Sequence, residues 1–72
     1  MYFYQRIKDL REDYDKSQTE IAELLGMKQQ QYARYENGTY EIPLHHLITL
    51  AEFYNVSLDY LAGLIQTPKA LH

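Results

Sequence analysis

The sequence predicts an all-α domain built from five short helices. Three observations lead there. Apolar residues recur at three- and four-residue intervals along most of the 72-residue chain, and no stretch shows the alternation of a strand. Ser17 and Ser57 stand immediately before two such stretches, where a serine hydroxyl caps the first turn. Between residues 18 and 38, QTEIAELLGMKQQQYARYENG, a small residue, a glycine and an apolar plug follow one another in the order a tight helix-turn-helix requires.

Residues 1 to 14 read as helix 1. Phe3, Ile7, Leu10 and Tyr14 repeat at i, i+4, i+7 and i+11, one face of a helix, and Arg6, Lys8, Asp9, Glu12 and Asp13 lie off that stripe. The sequence leaves open whether Tyr2 and Tyr4 fray or cap the core. Asp15-Lys16 is a polar link into helix 2, which begins at Ser17 with Glu20 at capping-box spacing. Ile21, Leu24 and Leu25 form its apolar stripe, and Ala22 is small where a second helix has to come close. Gly26 supplies the left-handed conformation that ends the helix, and Met27 plugs the gap at the turn. Helix 3, residues 29 to 36, turns Tyr32 and Tyr35 inward and Gln29, Gln30, Ala33 and Arg34 outward, and Asn37-Gly38 stops it.

Residues 39 to 43 form a loop, since Pro43 holds Ile42 extended and suits the first turn of the next helix. Helix 4 runs to about Tyr54, with Leu44, Leu47, Ile48, Ala51 and Tyr54 inward. Asn55 suits a turn, and Ser57 caps helix 5, in which Leu58, Leu61, Leu64 and Ile65 repeat at helical spacing. Pro68 bars continuation, so residues 1 to 65 are expected to form one domain and residues 66 to 72 a loose tail.

Ser17-Gln18-Thr19-Glu20-Ile21-Ala22, Leu25-Gly26-Met27 and Arg34-Tyr35-Glu36-Asn37-Gly38 together resemble the Cro and phage-repressor (XRE-type) family of small helix-turn-helix regulators. Arg6-Ile7-Lys8-Asp9-Leu10-Arg11 and Val56-Ser57-Leu58-Asp59-Tyr60-Leu61 resemble that family's first and last helices, so the likeness covers roughly residues 5 to 64. The resemblance implies a compact five-helix, lambda-repressor-like domain that reads operator DNA, most simply as a repressor of transcription. It places Gln29 and Gln30 at base-reading positions, with Gln31 peripheral or near the DNA backbone. Gln18 matches a glutamine that binds a phosphate and braces helix 3, and Arg11 is expected to pair with Glu36.

Chemistry supports those roles. A glutamine offers a donor and an acceptor together, as the N6 and N7 edge of adenine requires. Arg34, four residues after Gln30, suits guanine O6 and N7 or a phosphate, and Ala33 suits a thymine methyl. Lys28, Asn37 and Tyr40 are further candidates for the DNA backbone by position. As plain helix formers, the glutamines need no function at all. Tyr32 departs from the family pattern, which has an aliphatic residue there, and a ring at that point puts the tilt of helix 3 in question.

The net charge of −3 argues against nucleic acid, because phosphate neutralisation carries most non-specific affinity. Its distribution weakens that objection. Residues 1–25 sum to −2 and residues 41–72 to −2, whereas residues 26–40 hold Lys28 and Arg34 against Glu36 alone and sum to +1. There is no cysteine, no apolar run of membrane-spanning length and no secretory pattern, so a cytoplasmic protein is expected. No catalytic residue, metal site or cofactor is expected either. His45 and His46 are adjacent and step ~100° around a helix, and neither a nucleophile–base pair nor a phosphate-cradling loop appears.

A second reading is a protein-interaction module, an antirepressor or toxin partner that kept the fold and lost DNA. Under the DNA reading, a weak homodimer is expected on a near-palindromic operator. Leu58, Leu61, Leu64 and Ile65 of helix 5 are its expected surface, some of them left exposed to self-pair; the alternative is that the entire stripe is core, covered by residues 66 to 72.

Overall fold

A computed structural model describes residues 3–62, with five helices in the order α1 (Phe3–Asp13), α2 (Gln18–Leu25), α3 (Gln29–Glu36), α4 (Leu44–Tyr54) and α5 (Leu58–Leu61). Leu64, Ile65 and the expected tail, like Met1 and Tyr2, lie outside the described residues.

Local chemistry sets the ends of these helices. The Ser17 hydroxyl accepts from the Glu20 N–H, and the Glu20 carboxylate accepts from the Ser17 N–H, a closed capping box. Gly26 ends α2 at φ +73°, and the Met27 N–H reaches back to the Ala22 carbonyl. Asp15 and Asn55 hold positive φ between helices, a conformation that short polar side chains tolerate. Pro43 sits one residue earlier than the first turn, as the N-cap of α4, with its carbonyl accepting from His46 and Leu47. Ser57 caps α5 through the Tyr60 N–H.

Every described element contributes to one core. Ile7 and Leu10 of α1, Ile21 and Ala22 of α2, Tyr32 and Tyr35 of α3, and Leu47, Leu50, Ala51 and Tyr54 of α4 are buried together, with Ile42, Val56 and Leu61 closing the sides. Tyr32 is fully buried, so the ring is accommodated at the α2–α3 junction. Among the described residues the hydroxyls of Tyr32 and Tyr54 find no hydrogen-bond partner, and a buried polar group left so costs ~1–3 kcal/mol.

Three apolar positions on the expected stripes face outward instead. Leu24 is 42% exposed, Leu44 61% and Ile48 43%. On α2 the buried face runs through Ile21 and Ala22, and Leu24 lies beside it. On α4, the buried face runs through Leu47, Leu50, Ala51 and Tyr54, and Leu44 and Ile48 lie beside it. Tyr14 is also exposed, yet its hydroxyl donates to the Tyr54 carbonyl at 2.7 Å and its ring meets that of Tyr54 edge-on.

Arg6, read as lying off the apolar stripe of α1, is nonetheless 4% exposed, lies over the Tyr60 ring at 4.1 Å and donates to the Tyr60 carbonyl. One further expectation is corrected. Leu61 is fully buried, because the single turn of α5 folds back onto α1 and α4, so it offers nothing to a partner; Leu58 is partly buried against the same core. The His45 and His46 rings lie 4.1 Å apart, closer than a 100° helical step suggests, since rotation about their own bonds lets neighbouring rings converge.

Candidate nucleic-acid interface

The turn between α2 and α3 holds the N-terminus of α3 clear of the core. Lys28 is its N-cap, exposed and in extended conformation, and Gln30, Gln31 and Arg34 are exposed along the outer face, with Gln29 and Ala33 half-buried beside them. The inner face carries Tyr32, Tyr35 and Glu36. Helical period alone produces this division: 32, 35 and 36 share one stripe, while 30 and 34 share the opposite one.

Behind this face runs a network of polar side chains. The Arg11 Nε and Nη2 donate to the two oxygens of Glu36 at 2.7 and 3.1 Å, and Nη1 donates to the Lys16 carbonyl. The Gln18 amide donates to the same Glu36 carboxylate at 3.1 Å and accepts from the Gln29 amide at 2.6 Å. Burial works to raise the Glu36 pKa, but the hydrogen bonds from Arg11 and Gln18 outweigh it. Its carboxyl is held below the usual carboxylate range. Burial first, and then the Glu36 charge, push the Tyr32 phenol up from its ordinary value.

This network changes the charge argument. Glu36, the one anion among residues 26–40, is 4% exposed and neutralised by Arg11. The charges that residues 26–40 present to solvent are therefore those of Lys28 and Arg34. Arg34 extends towards the exposed Tyr40, its guanidinium carbon 5.8 Å from the ring centre, which limits how far it swings. The Asn37 side-chain oxygen is occupied by the Thr39 N–H and hydroxyl, leaving its amide nitrogen outward. The Gln31 amide reaches back to the Tyr35 hydroxyl.

One cation at this face escaped the sequence reading. An open cleft of about 300 Å³ between α1 and α3 is lined by Lys8 and Gln5 together with Gln18, Ala33 and Asn37. Lys8 lies three residues before Arg11, on the adjoining side of α1, and that spacing was the available signal. The Gln18–Gln29 bond had no such signal, because amide pairing depends on how the two helices cross.

An exposed helix face, rigidly backed through a tight glycine turn by the preceding helix, defines a helix-turn-helix domain. A family model described as Helix-turn-helix matches residues 7–61, and the chain belongs to that family. It is 35% identical over 66 residues to the uncharacterized HTH-type transcriptional regulator YobD of Bacillus subtilis, covering 92% of this chain and 59% of that protein. It is 38% identical over 56 residues to the cryptic phage CTXphi transcriptional repressor RstR of Vibrio cholerae, covering 78% of this chain and 50% of that one. The chain thus spans only 50–59% of the length of these relatives. Its fold is similar to the crystal structure of the P22 c2 repressor in complex with a synthetic operator, with a TM-score of 0.75 and 21% identity over 85% of this chain and 92% of that one.

Proposed function

We propose that this chain is a sequence-specific DNA-binding regulator of transcription, acting as a repressor, with α3 laid in the major groove. The observation that carries this reading is the outer face of α3: Gln30 and Arg34 one turn apart, Gln29 braced from behind by Gln18, and Glu36, the one anion of residues 26–40, buried under Arg11. Gln29 and Gln30 meet adenine edges, Arg34 a guanine or a phosphate, and Ala33 a thymine methyl. Gln18, Lys28, Gln31, Asn37 and Tyr40 surround that face and take the phosphate backbone. The kinship with YobD and RstR supports the regulatory role, and a cytoplasmic site of action follows from it.

A single short recognition helix makes too few contacts for tight operator binding, so the domain acts as a homodimer on a near-palindromic site, with half-sites ~34 Å apart. With Leu61 in the core, its pairing surface is the exposed edge of α4, where Leu44 and Ile48 stand one turn apart.

Selection of the protein on a random DNA pool at low salt tests the function. Enrichment of a two-part motif is expected. Binding that fails to enrich any sequence, or no binding at all, would transfer the protein to the interaction-module class.

A further inference from the structure

The hydrogen bonds behind α3 run in one direction, and their order is dictated by donor and acceptor chemistry. Paired with Arg11 at 2.7 Å, the Glu36 carboxylate is ionised and only accepts. Gln18 therefore turns its NH₂ to Glu36 and its oxygen to Gln29. Gln29 in turn has to give one N–H to Gln18. What it has left for a ligand is its Oε1 and its second N–H, an acceptor and a donor side by side. The reverse order would set the Gln18 oxygen against a carboxylate. It would also turn the Gln29 oxygen inward, leaving a head with two donors and no acceptor.

These two heads suit different bases. Adenine presents an N6 donor and an N7 acceptor in the major groove, whereas guanine presents two acceptors, N7 and O6. We propose that Glu36, held by Arg11, fixes through Gln18 which way round the Gln29 amide faces the groove, and so selects adenine over guanine at the base pair Gln29 reads. Glu36 is a positioning residue in this scheme, since it is buried and acts through Gln18. The proposal rests on the DNA-reading function given above.

The test uses the full 72-residue chain and sequence selection from a random pool. Gln29→Ala first locates the base pair that Gln29 reads. Glu36→Gln then makes both amide orders possible, and Gln18→Met breaks the relay while leaving the Arg11–Glu36 pair in place. Both variants are expected to lose about five- to tenfold of adenine-over-guanine discrimination at that base pair, the worth of one hydrogen bond. Preferences at the other base pairs should stay within about twofold. If Glu36→Gln does not fold, Gln18→Met decides alone. Unchanged discrimination in Gln18→Met, or an equal loss at every position, overturns the proposal, the latter being the mark of a tilted helix or a lost phosphate contact. So does a Gln29→Ala profile with no position-specific change, which would leave DNA reading itself intact. A parent chain that selects no sequence at all would remove both.

Discussion

Arg11 and Glu36 are 25 residues apart in the chain and 2.7 Å apart in the fold, with side chains 12% and 2% exposed. They join the last turn of the first helix to the last residue of the third, so one ion pair sets the angle at which α3 leaves the core. Removing one partner strands a buried charge. Arg11→Met is expected to destabilise the domain by ~3–5 kcal/mol in chemical unfolding. The pair also fixes an acid limit. The Glu36 pKa is lowered in the fold, so its contribution is present above the ordinary carboxylate value of 4.5 and is lost as pH falls through the lower folded value. The stability gap between the parent and Glu36→Gln should therefore be constant at neutral pH and shrink below about pH 4.5. Glu20 and His46 titrate in both proteins and cancel in the difference. A gap that stays flat into acid would remove Glu36 from this role.

Base readout has a separate signature. Gln30→Ala takes away an exposed side chain that braces nothing, so it should cost ~1–3 kcal/mol on the selected operator and almost nothing on random DNA. Gln29→Ala should show the same contrast. Equal losses on both kinds of DNA, measured by titration at fixed salt, would return the glutamines to the role of plain helix formers.

Gly26 is needed for its backbone and not for space. It sits at φ +73°, and a Cβ built there meets no atom within 4 Å. Gly26→Ala should therefore cost ~1–2 kcal/mol from the left-handed conformation alone, with Gly26→Val worse and Gly26→Asn nearly neutral. Thermal melts of the three variants give the order directly, and equal melting of Val and Asn would contradict it.

Arg6 ties the first helix to the last. Its guanidinium covers the Tyr60 ring and bonds the Tyr60 carbonyl, so Arg6→Ala should cost ~2–4 kcal/mol. Amide exchange should speed up at α5 before it does at α2 or α3. Uniform acceleration across the domain would mean that Arg6 serves the whole core.

Self-association can be tested without touching the fold. Leu44→Lys and Ile48→Lys alter exposed positions, so melting should change by less than about 0.5 kcal/mol. Cooperative binding to a two-part operator should be lost. Retained two-protein complexes in sedimentation would move the dimer face elsewhere.

Where local chemistry decides, the sequence was readable to the residue. The Ser17–Glu20 capping box, the Gly26 turn and the Asn37-Gly38 stop mark the bounds of α2 and α3, and those bounds place Gln29, Gln30 and Arg34 on the outer face. Where two distant segments decide, it was not. Arg6 lies off the stripe that periodicity assigns to the core, and nothing local says that Tyr60 will be waiting 54 residues on to receive its guanidinium. Leu24, Leu44 and Leu61 are equally apolar; neighbours supplied by other helices bury the last and leave the first two in water. The Gln18–Gln29 amide pair depends on the crossing of α2 and α3, which periodicity does not encode.

The choice of tyrosine to fill this core bounds the domain in alkali. Burial pushes the phenols of Tyr32 and Tyr54 above their ordinary value of 10.0, so the fold accepts them only in protonated form. Their contribution is whole below that value and drains away as pH climbs past it, because an unfolded chain ionises its phenols freely. Phenylalanine at either position would leave no proton to lose. Two buried ring hydroxyls thus close the working range from above, as one buried carboxylate closes it from below.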